Sequence, residues 1–125
     1  MARPKRAHPE ETLQRQVAHF LDSHLAHGAV WFHPPNGGGR SKAEAGALKA
    51  QGVKPGIPDI LIFCNGTVVF IELKAPKGYP SPAQRDMHAR LRAAGYQVGV
   101  ARSLADFLAL MAEFGVPLRH LRIAA

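Results

Sequence analysis

A turn near the middle of this chain brings two carboxylates and a lysine close together. Asn65-Gly66 is typical of a two-residue hairpin turn, and the segments on either side are rich in β-branched and aromatic residues. Asp59 lies six residues before this turn and Glu72 six residues after it, so they face each other across the predicted hairpin. Because side chains alternate along a strand, Lys74 lies on the same side as Glu72.

Two facing carboxylates repel each other, so this pair requires a compensating positive charge. Lys74 can supply one, and oxygen-rich sites also suit Mg²⁺ or Mn²⁺. Asp59 and Glu72 are the only acidic residues between Ala45 and Arg85, which argues against a general solvating role. A surface acid pair bridged by Lys74 is the alternative. A loop of odd length would put the two carboxylates on opposite faces.

The hairpin is apolar on both of its faces. Leu61, Phe63, Val68 and Phe70 alternate with a second apolar set, which consists of Ile60, Ile62, Val69, Ile71 and Leu73. Strands that are buried on both faces belong to sheets covered by helices on each side. We therefore expect helices above and below this hairpin, with the carboxylates at the edge of the core.

Caps, glycines and apolar spacing predict the remaining elements. The predicted order is αβ-αββ-αβα, an α/β fold with a small mixed sheet flanked by helices. Ser41, Ser81 and Ser103 are predicted to cap the last three helices. In chain order we expect a helix over 9–27, a strand over 29–32, a helix over 42–51, strands over 60–64 and 67–74, a helix from 82 to before Gly95, a strand over 96–101 and a helix from 104 to Gly115.

Composition and charge limit the class of protein. The chain has 125 residues and a net charge of +7, which predicts one domain that binds a polyanion. Its single cysteine, Cys64, excludes an internal disulfide framework and a cysteine-rich zinc site. With no apolar span and no signal region, we expect a cytoplasmic protein with no membrane partner. We predict a flexible basic arm over 1–8, one domain over 9–116 and a tail over 117–125.

Several other polar residues have structural explanations that stay open. Ser81 and Gln84 have the spacing of a capping box, which accounts for Gln84 without any role in a site. Of the seven histidines, His33 precedes a glycine-rich loop and could reach the site, although a lone histidine is more often a structural hydrogen-bonding residue. The other six show no metal-binding spacing, and we expect them on the surface. The arginines of the third helix are most simply a solvated face, while its Met87 and Leu91 belong to the core.

Pro58-Asp59 followed by Glu72-Leu73-Lys74 resembles the PD-(D/E)xK nuclease signature. The surrounding residues resemble the VRR-NUC (virus-type replication-repair nuclease) branch over about 10–114, in the manner of stand-alone phage and bacterial members. The segments that carry this resemblance are His33-Pro34-Pro35-Asn36-Gly37-Gly38, Gly56-Ile57-Pro58-Asp59, Ile71-Glu72-Leu73-Lys74 and Ser81-Pro82-Ala83-Gln84, with Glu10 and Gln14 on the first helix.

The resemblance implies a restriction-endonuclease-like core and a metal site. Asp59 and Glu72 would ligate Mg²⁺ or Mn²⁺, with the backbone carbonyl of Leu73 as a further ligand. A glutamate on the first helix would complete the acidic cluster. We prefer Glu10, which shares a helix face with Gln14, and keep Glu11 as the alternative.

The resemblance also assigns roles in the reaction, whereas the expected DNA contacts follow from the glycine-rich loop and the basic residues around it. Lys74 would position or activate the attacking water, and Gln84 would orient the site from the third helix. The glycine-rich loop and nearby basic residues would contact the DNA backbone, although a flexible connection would explain this loop equally well. The predicted DNA-binding residues are His33, Asn36, Gly37, Gly38, Arg40, Lys42, Lys49 and Lys54.

Together these features predict a metal-dependent DNA endonuclease that hydrolyses phosphodiester bonds in replication, repair or recombination. The resemblance suggests branched or flapped DNA, such as a four-way junction, and a homodimer. The alternatives are a non-catalytic DNA-binding module of the same fold, a sequence-specific restriction-type endonuclease and an RNA-processing enzyme. At 125 residues the chain has little room for a base-reading insertion, which disfavours the restriction type.

Overall fold

The computed structural model describes residues 8–35 and 41–119, and these form four helices and four strands. This arrangement confirms the predicted α/β class and the predicted order of elements. The elements are α1 (Pro9–His24), β1 (Val30–Phe32), α2 (Lys42–Ala50), β2 (Ile60–Cys64), β3 (Thr67–Leu73), α3 (Pro82–Ala93), β4 (Gln97–Ala101) and α4 (Leu104–Glu113).

The four strands form one mixed sheet in the order β1-β2-β3-β4. Strand β2 is antiparallel to both of its neighbours, β1 and β3, and a hairpin joins it to β3. Strand β4 runs parallel to β3, and α3 makes the crossover that a parallel pair requires. The prediction of a small mixed sheet is therefore confirmed.

The β2–β3 hairpin has the register that its turn predicts. Ile60 pairs with Ile71, and Cys64 pairs with Thr67 next to the turn. Asn65 and Gly66 have φ angles of 53° and 73°, the left-handed pair that a tight primed turn needs. This turn fixes which residues share a face, and it directs Glu72 away from the face that carries Ile71 and Leu73.

Helices α1 and α4 cover the face of the sheet opposite to Glu72. The amphipathic stripe of α1 begins just after Pro9, which is favoured in the first turn of a helix. Buried apolar residues of both helices pack against the strands in one core. This core includes Leu13, Val17, Phe20, Leu21, Ile60, Ile62, Val69, Ile71, Leu73, Phe107 and Met111. Helix α3 packs on the other face, where it buries Met87 and His88.

Helix α1 ends at His24, three residues before the predicted end at His27. Leu25 has an extended backbone and forms a β-bridge with Leu118, and the N–H of Ala26 donates to the carbonyl of Pro117. These contacts with a distant segment provide hydrogen-bond partners for backbone groups that would otherwise bond within a longer helix. Of the predicted arm and tail, 1–7 and 120–125 lie outside the described residues.

The expectation that both faces of the hairpin are buried is wrong at the β1–β2 end of the sheet. Phe63 is 41% exposed, and its neighbours Val30 and Phe32 on β1 are 61% and 44% exposed. Among the described residues, the buried part of this face is limited to the β3–β4 end, where α3 lies over Glu72 and Phe70. Helix α3 is too narrow to cover the whole width of this face of the sheet.

In the part of the chain that the structure describes, no helix has both the length and the apolar character needed to cross a membrane.

Candidate active site

Asp59 and Glu72 meet at the open end of the β2–β3 hairpin. Asp59 directly precedes β2, next to the buried Pro58, and its Oδ2 accepts a hydrogen bond from the N–H of Leu73 at 2.8 Å. This bond continues the hairpin pairing beyond the last strand residue, so the carboxylate of Asp59 is held beside that of Glu72. The side chains of Asp59 and Glu72 are close enough for Asp59 to raise the pKa of Glu72. The structure thus brings together the pair that the turn arithmetic predicts.

Glu72 is almost completely buried, with 1% of its surface exposed. The pKa of Glu72 is raised from 4.5 to about 9, mainly by burial and also by the neighbouring carboxylate of Asp59. Lys74 opposes this effect, since its positive charge lowers the same pKa. Without a cation in addition to Lys74, Glu72 therefore holds a proton at neutral pH.

Lys74 follows β3 and points toward the first turn of α1. Its Nζ lies 3.7 Å from Oε1 of Glu10, and its side chain is only 14% exposed. Glu11, by contrast, forms a surface ion pair with Arg15 at 2.8 Å. The structure therefore brings Glu10 to the cluster of Asp59, Glu72 and Lys74, and it directs Glu11 elsewhere.

His88 belongs to the site, and the prediction that it lies on the surface is wrong. It is 3% exposed, and its Nε2 lies 3.1 Å from Oε1 of Glu72. Burial lowers the pKa of His88, as do the positive charges of Arg92 and Lys74. One signal could have identified it, because His88 lies four residues after Gln84 and therefore shares that helix face.

Gln84 has the structural role that its local sequence predicts. Ser81 Oγ accepts from the N–H of Gln84 at 3.2 Å, while Oε1 of Gln84 accepts from the N–H of Ser81 at 2.8 Å. This capping box starts α3 beside the Asp59 loop. Gln84 also lines the same cavity as Asp59, so the cap and a place next to the site are compatible.

Close packing of Gly56 on α3 positions the loop that carries Asp59. Gly56 has a φ angle of +83°, and a Cβ atom there would lie 2.4 Å from the carbonyl oxygen of Ala83. Only glycine allows this approach without displacement of the backbone. The contact fixes the loop against the start of α3, three residues before Asp59.

His33 is tied to the loop from the opposite side. Its Nδ1 lies 2.6 Å from the backbone carbonyl of Asp59, and a carbonyl can only accept, so Nδ1 is the donor. The contact joins the end of β1 to the site, and His33 itself remains exposed. His33 therefore contacts the backbone of the residue that carries one of the carboxylates, and not a carboxylate itself.

A cavity of about 470 Å³ opens beside Asp59. Its walls are largely apolar, with Leu48, Val53 and Ile57 among them, and Lys49 and Lys54 supply positive charge. Lys42 is exposed near the start of α2, outside the lining of this cavity. The other predicted DNA-binding residues, Asn36, Gly37, Gly38 and Arg40, lie outside the described residues.

The donor set suits a hard divalent cation. Within residues 8–35 and 41–119, no three His, Cys, Asp or Glu side chains converge closely enough to form a complete metal site. Asp59 and Glu72 supply two adjacent carboxylates, which is the number that Mg²⁺ commonly takes while it keeps several waters. A cation would also replace the proton that the buried Glu72 otherwise needs.

Comparisons with known proteins show the fold and the family of the chain. A phage protein of the Acyrthosiphon pisum secondary endosymbiont phage 1, named "Putative nuclease p44", is 44% identical over 62 residues, which are 46% of this chain and 67% of that protein. A solved "VRR_NUC domain protein" has the same fold with a TM-score of 0.71, at 22% identity over 90% of this chain and 93% of its own. A second solved structure, "VRR_NUC domain", has a TM-score of 0.60 at 24% identity over 86% and 99%.

The family comparison covers the elements that build the site. The model of the VRR-NUC domain matches residues 9–105, from the start of α1 to the beginning of α4. That range includes Glu10, Asp59, Glu72, Lys74 and Gln84. The chain therefore belongs to the VRR-NUC domain family.

Proposed function

We propose that this protein is a divalent-cation-dependent DNA endonuclease that acts on branched DNA. Membership of the VRR-NUC family supports a nuclease that hydrolyses DNA. The observation that carries the proposal is the buried Glu72 beside Asp59, with Lys74 on the same side of the hairpin. Burial of the Glu72 carboxylate beside a second carboxylate costs free energy, and a bound cation would offset that cost.

Asp59 and Glu72 would hold the cation, together with the backbone carbonyl of Leu73. When bound, Mg²⁺ or Mn²⁺ would supply a Lewis acid at the scissile phosphate and lower the pKa of a coordinated water. Asp59 is oriented for this task by the N–H of Leu73, which occupies its Oδ2 and fixes the plane of the carboxylate.

Lys74 would orient the attacking water and stabilise the negative charge that develops on the phosphate. Its Nζ has three donors, and its low exposure strengthens any interaction with an anion. Glu10 lies 3.7 Å from Nζ and restricts its position, and it adds negative charge at the rim of the site. The same position would let Glu10 bind the cation through water.

DNA would approach across the cavity beside Asp59. Lys49 and Lys54 supply the sequence-independent phosphate contacts that dominate non-specific affinity. The apolar walls near Leu48 and Val53 favour nucleotides that have left a base-paired stack, because an exposed base can bury its faces there. This preference supports flapped or branched DNA over an uninterrupted duplex.

We further propose that the protein acts as a homodimer through the exposed apolar surface of β1 and β2. Phe32 and Phe63 stack on each other with ring centroids 5.7 Å apart, and Val30 lies beside them. Apolar clusters of this kind mark interaction sites on soluble proteins. A two-fold pair would present two sites, which suits paired cuts on a symmetric junction.

A cleavage assay with single-stranded, duplex, flapped and four-way DNA tests the proposal. The wild-type chain, Lys74→Ala and Glu72→Gln are compared with Mg²⁺, with Mn²⁺ and with EDTA. Lys77→Ala is the matched control, because Lys77 is an exposed lysine three residues along the chain. We expect cleavage that needs the cation, a loss of at least about 100-fold in both site variants, and near wild-type activity in the control.

Three outcomes would contradict this proposal. Wild-type protein that binds the four DNAs equally with and without a cation, and cuts none, would identify a DNA-binding module. Cleavage that survives both substitutions would place the chemistry elsewhere. Faster cleavage of matched RNA than of DNA would reassign the substrate.

A further inference from the structure

We propose that His88 is a positioning residue that holds the Glu72 carboxylate in the orientation needed for cation binding. This inference rests on the proposed function, because it takes Glu72 as a ligand of the cation. It concerns a residue that lies outside the acidic pair and the lysine, on α3 rather than on the hairpin.

The contact between His88 and Glu72 is shielded from water on both sides. His88 is 3% exposed and Glu72 is 1% exposed, and Nε2 lies 3.1 Å from Oε1. Glu72 also lies beside Asp59. The carboxylate is thus held between a hairpin partner and a helix partner, and its rotation about the last side-chain bond is restricted.

Packing alone does not account for a histidine at this position. The adjacent Met87 is also buried on α3, and its apolar side chain needs no hydrogen-bond partner there. A buried imidazole loses hydration, which is compensated only when its nitrogens find partners. The structure provides that partner in Glu72, so the polar ring is explained by the carboxylate that it contacts.

Orientation of an acidic ligand by a neighbouring donor affects cation affinity. Groups that hydrogen-bond to metal ligands fix their rotamers, and their removal typically costs about 10–100-fold in affinity or activity. An ionised Glu72 accepts the hydrogen bond from Nε2, which leaves its other oxygen available near Asp59. Without this donor, the buried carboxylate would lose one favourable partner of its charged form.

Titration of the full-length chain with Mn²⁺ in a calorimeter, without DNA, tests the inference. His88→Leu removes the donor and keeps an apolar side chain, whereas His88→Gln keeps an N–H donor that can occupy the place of Nε2. We expect Mn²⁺ affinity to fall by about 10–100-fold in His88→Leu and by no more than about threefold in His88→Gln. Met87→Leu is the control for packing of α3, and we expect wild-type affinity there. Circular dichroism confirms that each variant is folded.

Each result separates the positioning role from the nuclease proposal. Equal Mn²⁺ affinity in wild type and folded His88→Leu would overturn the positioning role, even if the wild type cuts DNA. Wild-type protein that binds Mn²⁺ without cutting DNA would overturn the nuclease proposal, while the affinities still decide the role of His88. Absence of Mn²⁺ binding by the wild type would overturn both. If His88→Leu does not fold, the test depends on His88→Gln. A folded His88→Gln that loses as much Mn²⁺ affinity as Glu72→Gln would contradict the inference.

Discussion

Lys74 and Glu10 are joined across 64 residues of chain, with Nζ of the lysine 3.7 Å from Oε1 of the glutamate. The contact links the end of β3 to the first turn of α1. Glu11, the next residue after Glu10, instead forms an ion pair with Arg15 on the surface. The first helix therefore supplies one acidic side chain to the cluster, and the sequence alone left two candidates.

Substitution of these two glutamates gives a matched pair of variants. We expect Glu10→Gln to lower DNA cleavage by about 10-fold or more, because it removes the charge that restrains Lys74 and faces the cation site. We expect Glu11→Gln to leave cleavage unchanged and to cost at most about 0.5 kcal/mol, as for an exposed helix pair. Initial cleavage rates and urea unfolding of both variants provide the measurements. The reverse order of activities would assign Glu11 to the site.

Stability of the cation-free protein should depend on pH through Glu72. Its pKa is raised from 4.5 to about 9, so the folded chain keeps a proton that the unfolded chain releases. Between these values the free energy of unfolding must therefore fall as pH rises, by at most about 1.4 kcal/mol per pH unit. We expect this fall from about pH 7 to pH 8.5 in urea unfolding with EDTA. We also expect the free energy of unfolding of Glu72→Gln to depend less on pH over this range. At about pH 8.5 this variant should be more stable than wild type.

The chosen window isolates Glu72 from the other shifted groups. The pKa of His88 is lowered from 6.5, which affects stability with the opposite sign and only below that value. The pKa of Cys64 is raised from 9.0 by burial, so its ionisation also lies above the window. Glu113→Gln, an exposed position on α4, is the control and should keep the wild-type slope. An unchanged slope in Glu72→Gln would show that Glu72 does not carry the buried proton.

The hairpin and its carboxylates were predictable because their causes are local. Asn65-Gly66 determines the turn, the turn determines the register, and the register brings Asp59 opposite Glu72. The capping box at Ser81 and Gln84 is equally local, and it formed as predicted. In each case neighbours in sequence provide the interaction, so no knowledge of the packing is required.

Features that depend on how distant parts of the chain pack together could not be predicted from the local sequence. Burial of His88 depends on which face α3 presents to the sheet, and exposure of Phe63 depends on how little of the sheet that helix covers. The early end of α1 depends on Leu118, more than ninety residues later. Such contacts are long-range, and apolar periodicity along one segment does not encode them.

The exposed aromatic pair of β1 and β2 gives a test of self-association. We expect Phe63→Lys to raise the dissociation constant of the dimer by at least about 10-fold. Loss of a buried aromatic anchor commonly weakens the binding free energy by about 2 kcal/mol or more. Sedimentation equilibrium over a range of concentrations gives this constant. Leu108→Lys is the control, since Leu108 is 39% exposed on α4, away from this surface. A monomeric wild type, or a dimer indifferent to Phe63→Lys, would contradict the proposed interface.

The contact of Gly56 with α3 predicts a linked loss of stability and activity. A methyl group at Gly56 meets the carbonyl of Ala83 and also requires a left-handed backbone. Gly52 is a matched control, with a φ angle of +101° but nothing within 4 Å of the added Cβ atom. Both Gly→Ala variants incur the backbone cost of about 1–2 kcal/mol, and only Gly56→Ala adds an overpacking cost of about 1–3 kcal/mol.

Because relief of the clash must move the loop away from α3, Asp59 should lose its alignment with Leu73. We therefore expect cleavage to fall in Gly56→Ala alone, even at temperatures where both variants are fully folded. Equal stability and activity of the two variants, in thermal unfolding and cleavage assays, would show that the loop adjusts without displacing Asp59.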